Sequence, residues 1–237
     1  MRPKTLFVLT VFVLLASLSG FAQQDYVGRW EAYTGYSFFD TPSLNLFQNG
    51  FNGEFGANIR PWLALGFDFS VFQGSNSITP GMLNSGVQQQ LVQTITEGME
   101  AGLIPPGYRL TGVPSTSTTY TYSAGPQFNI RHFQQVTFFV RPALGALHES
   151  ASLNPTDPVT KALVVGLVGS SLHKTDTVVF YGFGGGIDFN IAQHVSISTA
   201  ADLVHYDMFS GLLNGGRNTV RFSIGPKFHF GQNIMHK

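Results

Sequence analysis

The sequence predicts an all-β chain, an eight-stranded antiparallel transmembrane β-barrel of up-and-down topology. Three observations carry that expectation. Eight stretches alternate apolar and polar residues with the two-residue period of a strand. Their charges share a face with glycine and serine, while their aromatic residues take the other face. The connections are alternately short and long, as between the strands of a barrel that crosses an outer membrane. Composition agrees: of 237 residues 11% are charged, against roughly 25% in an ordinary soluble protein, whereas 14% are aromatic and 27 are glycine. That is too little charge to coat a soluble surface. Past the N-terminus, no segment is apolar enough to span a bilayer as a helix.

Residues 1–22 carry Arg2 and Lys4, an apolar run over 6–15, and then Ser19-Gly20-Phe21-Ala22, the pattern of a cleavable secretory signal. Residues 23–237 are then the barrel domain. Losing two of the 13 basic residues against 13 acidic ones leaves a net charge of about −2, with no basic footprint for nucleic acid. The absence of cysteine excludes disulfides, zinc–thiolate sites and a cysteine nucleophile.

The first strand, 30–39, sets Trp30, Ala32, Thr34, Tyr36 and Phe38 against Glu31, Tyr33, Gly35 and Ser37. The second, 51–60, opposes Phe51, Phe55 and Ile59 to Asn52, Glu54 and Arg60. After the Pro61-Trp62 reversal, the third, 63–72, opposes Leu65, Phe67 and Phe69 to Asp68 and Ser70. Residues 73–117 read as a long external loop. Within it Leu83, Val87, Leu91, Ile95, Met99 and Leu103 recur every fourth residue, the stripe of an amphipathic helix, but Gly86, Gly98 and Gly102 count against one, so helix and loop both stay open. Strands resume at 120–131 and 136–148. A second long connection, 149–176, contains the apolar patch 162–168, expected to extend a hairpin above the membrane. The last three strands are 178–190, 195–206 and 219–230, the final pair joined across 207–218.

Parity places Glu31, Glu54, Arg60, Asp68, Arg131, Arg141, Asp188, Asp202, Arg221 and Lys227 together on the inward face. Inside a narrow barrel these ten must pair, because an isolated buried ion is costly. Eight strands enclose only enough room for side chains, so a water-filled pore is not expected. Pro126, Pro142 and Pro226 each remove a ladder donor. Two of them lie in a repeated Ser-x-Gly-Pro-x-Phe at 123–128 and 223–228, which a bulge would explain. Outward aromatics fall at two levels, Trp30, Trp62, Phe133 and Phe230 at one end and Tyr36, Tyr120, Tyr122 and Tyr181 at the other, as interfacial girdles do.

Residues 30–231 resemble the small OmpA-like, eight-stranded outer-membrane barrel family. The matching segments are Trp30-Glu31 with Gly35-Tyr36-Ser37, Gly66-Phe67-Asp68-Phe69, Gly184-Gly185-Gly186-Ile187-Asp188, and the closing Phe228-x-Phe230. Two departures stand out: residues 231–237 follow Phe230, where the family's last strand commonly ends the chain on an aromatic, and the peptidoglycan anchor of longer relatives has no counterpart to carry over. The resemblance implies a non-enzymatic barrel with long external loops and an envelope-structural or surface-interaction role. It also implies a monomer in the outer-membrane lipid of a Gram-negative-type bacterium, inserted by the barrel-assembly machinery; because eight strands return the chain to its starting side, both mature termini are expected to be periplasmic. It brings no catalytic residue, cofactor or metal, and it names no external partner. The histidine spacings do not suit a metal site. His194-Val195-Ser196 matches the His-x-Ser pair of barrel lipid A deacylases superficially, but at a periplasmic turn. Two alternatives stay open: a lipid-modifying barrel enzyme, for which Tyr206, His205 and His148 are the only polar cluster at the external rim, and a soluble, periplasmic, lipocalin-like carrier.

Overall fold

The computed structural model describes residues 25–235; the expected signal, 1–22, lies outside them. The ladder closes on itself in sequence order. Its strands are β1 (Gly28–Thr41), β2 (Leu46–Arg60), β3 (Leu63–Ile78), β4 (Val113–Ile130), β5 (Val136–Leu153), β6 (His173–Ala192), β7 (Val195–Tyr206) and β8 (Arg217–Asn233). Every neighbouring pair is antiparallel, and β1 meets β8 through Trp30↔Phe230, Glu31↔His229 and Tyr36↔Ile224. Closure leaves no unpaired edge, which a bilayer requires of any sheet crossing it. Among the described residues no helix is long and apolar enough to cross a membrane.

The two faces follow the alternation. Phe51, Phe183 and Val179 point out and are 63%, 66% and 68% exposed, whereas Glu31, Asp188, Asp202 and Lys227 point in and are at most 2% exposed. From Val136 to His148, at ~3.3 Å per residue and a ~45° tilt, the apolar wall rises roughly 28 Å, the height of a hydrocarbon layer.

Above that band the polarity inverts. Tyr120 pairs with His148 and Tyr181 with His205. Beyond this level the outward residues are Gln73, Ser75, Thr116, Thr118, Ser150, Ser152, His173 and Thr175, while Leu46, Val113 and Ala151 turn inward. Residues 73–78, 113–117, 149–153 and 173–176, expected as loop, are therefore strand. Their Ser/Thr-rich outer face lacks the aromatic signal that marks the lower wall. The first connection shrinks likewise, to a single 3-10 turn at Pro42–Leu44 that ends on Asn45 in the left-handed region.

Two helices roof this end. α1 (Ser85–Glu100) starts where the Asn84 side chain accepts from Val87 N–H, and α2 (Pro158–Val168) starts where Asp157 caps Thr160 N–H, with Pro158 in its first turn. Side-chain caps and an N-terminal proline satisfy donors the helix cannot use. The patch at 162–168 is thus helix, not an extended hairpin. Of the predicted stripe, Leu91 is buried and Val87, Ile95 and Met99 pack beside it, whereas Leu103 is exposed, because the helix ends before reaching it. The roof is knitted to the β7–β8 connection by the Leu83↔Leu213 bridge, by Asn84 N–H to Leu212 O and by Asn214 N–H to Met82 O. We call this assembly the cap.

The expected glycine–proline bulges are absent. Register runs unbroken through Leu65↔Pro126 and Ile197↔Pro226. Instead rungs are missing: β4 and β5 stop pairing at Ser123↔Gly145 and resume at Phe128↔Val140, a stretch that holds both Pro126 and Pro142. Gly225 lies so close to the backbone of Thr34 and Gly35 that a Cβ there would overlap it.

Candidate functional site

The inward strand faces bring nine of the ten expected charged residues into the lumen. Arg141 on β5 reaches Glu54 on β2 (2.5 Å) and Asp202 on β7 (3.0 Å), while Arg221 on β8 reaches Asp68 on β3 (2.6 Å) and Asp202 (2.8 Å). Asp202 is thus held between two guanidinium groups. Arg141 must pass over β6 to reach it, and Gly184 is the residue facing both. A Cβ at Gly184 would overlap the Asp202 carboxylate. Toward the terminal end, Lys227 pairs with Asp188 at 2.9 Å and lies 4.8 Å from the Phe139 ring centroid. Arg131 lies 4.0 Å from Glu31 with Asn58 between them, donating to Glu31 (3.2 Å) and accepting from Arg131 (3.4 Å).

Arg60 is the exception. It is exposed, because the register shifts between Asn58 and Arg60 and one extra residue reverses the facing of all that follow it. The lumen therefore holds Glu31, Glu54, Asp68, Asp188 and Asp202 against Arg131, Arg141, Arg221 and Lys227, one carboxylate in excess.

Sequence reasoning missed a lumen trio. Ser196 Oγ lies 2.8 Å from His229 Nε2, and His229 Nδ1 lies 3.9 Å from Glu31. The order suggests a hydrolytic triad, but the second distance exceeds hydrogen-bond reach, Ser196 also donates to Asn190, and all three side chains are sealed from solvent. The inward parity of Ser196 and His229 was the available signal.

The polar groups considered for rim chemistry do not converge. Tyr206 points inward onto Thr41 and Thr219, His205 binds Asn218 and His148 binds Thr177, and β6 runs between the strands that carry the two histidines. Among the described residues no three metal-ligating side chains gather.

Above the charges, Phe39 stacks on Phe72 with centroids 4.9 Å apart and lies 6.3 Å from Tyr206; with Leu147 they close the lumen. Over this plug the cap forms a partly open, mainly apolar cavity of about 80 Å³, walled by Leu83, Val113, Leu163, Leu167, Phe209 and Leu213, with Glu149 and Arg217 also on its lining. Burial pushes the Glu149 carboxyl up to about 7, against the pull of the Ser117 hydroxyl and the Arg217 charge. Arg217 is 2% exposed and donates to Met208 O (2.6 Å) and Asn214 O (2.8 Å). Inward parity on β5 could have flagged Glu149. Arg217 lay in a predicted loop, so no parity could be assigned to it.

No protein-family model matches the chain, and no curated protein matches it. Solved structures do. Ail, the attachment invasion locus protein of Yersinia pestis, is 16% identical over 86% of this chain and 99% of that one, with a TM-score of 0.48. Neisserial surface protein A is 12% identical over 85% and 96%, with a TM-score of 0.48. OprG from Pseudomonas aeruginosa is 8% identical over 89% and 99%, with a TM-score of 0.49. Likenesses this distant carry no argument beyond the fold, and the fold is legible in this chain's own closed ladder and apolar outer wall: it is an eight-stranded antiparallel β-barrel whose apolar face points outward.

Proposed function

We propose that the protein is a non-conducting, non-enzymatic outer-membrane barrel that acts through its cap, in a surface-interaction role. One observation carries this reading: a cap with its own apolar core stands over a lumen filled by charge pairs and aromatic rings. A pore has no use for such a plug, and an enzyme needs a nucleophile and base that a substrate can reach. Binding residues are disproportionately found on loops held by a rigid scaffold. The short turns at the terminal end and the long connections at the cap end support a periplasmic placement of both termini and an external cap. On this reading the protein is a monomer surrounded by outer-membrane lipid and delivered by the barrel-assembly machinery.

Two measurements test it. Reconstituted in planar bilayers, folded protein should give no stepwise conductance; sustained channel currents would overturn the reading. Protease added to intact cells should cut in 79–112 and spare a tag placed after Lys237, and loss of that tag in intact cells would reverse the orientation.

A further inference from the structure

We propose that the cap cavity binds a single-chain anionic amphiphile, with its headgroup at Arg217 and its alkyl chain among the leucines. The inference rests on the reading that the cap is the working surface, and it adds a ligand class. Three observations lead to it. The cavity wall is mainly aliphatic or aromatic, with Asn76, Thr79, Ser115, Glu149, Lys174 and Arg217 as its polar members, and its interior space is about 80 Å³; at ~10–15 Å³ per water-sized probe that is room for roughly six chain atoms. A cleft between α1 and α2 lies on the other side of Leu163 and Leu167, which line both spaces, so movement of these two side chains would admit a longer chain. Arg217, on the lining, is a buried cation held only by backbone carbonyls. No carboxylate stands within 4 Å of it among the described residues.

A buried cation of this kind is stabilised by an anion with good geometry and is left uncompensated by hydrocarbon alone. Lys174 lines the same cavity, so a cationic head would meet two positive charges. The groups that face Glu149 are Arg217 on β8, Asp176 on β6, Ser117 on β4 and Tyr206 on β7. With its carboxyl held up to about 7, Glu149 is largely neutral in mildly acidic medium and does not neutralise Arg217. As pH rises past 7 it ionises, pairs electrostatically with Arg217 and repels the ligand head.

The test is calorimetric titration of the full barrel in nanodiscs, with empty nanodiscs subtracted. The probes are decanoate, 1-decanol, decyltrimethylammonium and a decanoyl lysophosphatidylglycerol. Expected is saturable one-site binding of an anionic probe, weakened on the order of tenfold by loss of one charge-assisted contact in Arg217→Gln and lost when Leu163→Trp fills the cavity. Binding should also weaken between pH 6 and pH 8, and Glu149→Gln should remove that dependence. If decanoate binds, the source is free carboxylate; if the lysolipid alone binds, it is membrane lipid; either supports the site. Equal affinity for decanol or decyltrimethylammonium, or no saturable binding of either anion to folded protein, overturns it. Folding of each variant is checked by heat-modifiable migration, and should Arg217→Gln fail to fold, the headgroup series on the native protein still decides. Absent binding together with absent conductance would remove this ligand and leave the cap reading standing. Conductance would remove the cap reading whatever binds.

Discussion

Arg221 and Phe222 are adjacent on β8 and live in opposite media. Arg221 donates to Asp202 through Nε at 2.9 Å and to Asp68 and the Ser70 hydroxyl through Nη1, so Arg221→Leu leaves Asp68 without its cation. With the site sealed, the cost should be about 3–5 kcal/mol. Phe222 faces outward, opposite Phe38 and Ala201. Phe222→Arg should cost roughly 2–4 kcal/mol near mid-membrane, because it moves a charge into hydrocarbon. Arg221→Lys and Phe222→Leu should be mild by comparison. Unfolding titrations of the four variants in lipid vesicles measure this; tolerance of Phe222→Arg would mean that the aromatic face is a packed interior. The sequence made these assignments readable because a strand's period is two, so charge and aromatic content report facing residue by residue. Arg60 was misread for the same reason: parity cannot see a single inserted residue, and the bulge before it carries no glycine or proline to mark it.

At the scale of elements, β3 to β6 were legible where their outer face was aromatic and illegible where it became Ser and Thr, whereas the start of β2 was missed although Phe47 points outward. Inside the bilayer the outer face must be apolar; above it water takes over, the lower-wall pattern fades, and β3 to β6 read as loop. α1 was half legible from its four-residue stripe. α2 was not, since Ala162 to Val168 is apolar all round, and its real signals were the Asp157 cap and Pro158. Glu149 marks the transition on β5. Its folded value of about 7 lies above the ordinary 4.5, so its contribution to stability is fully present below about pH 4.5 and is lost as pH rises through 7. Glu149→Gln should therefore change little at pH 4 and stabilise the protein at pH 8 by up to about 3 kcal/mol. Melting or amide exchange of the cap at the two pH values measures it, and an equal effect at both would rule out ionisation as the cause.

For the whole molecule, wall and cap are separable in principle. The ladder closes through contacts among the eight strands alone, and the cap core sits above it. Replacing 79–112 and 154–172 with Asn-Gly turns, which suit a two-residue hairpin, should leave a barrel that still shows heat-modifiable migration and still conducts nothing, because the Phe39–Phe72 plug lies below the cut. A truncated chain that failed to fold would show that the cap takes part in closure. The inversion of polarity at the tyrosine level has another consequence. Fixed collars above and an aromatic ring of Trp30, Trp62 and Phe230 below give the protein its own waterline, so its depth is set by the wall and not by the lipid. A bilayer several ångströms thicker would have to thin around it, at a cost of fractions of a kcal/mol per Å, and the molecule would drift toward the thinner of two membranes it could share.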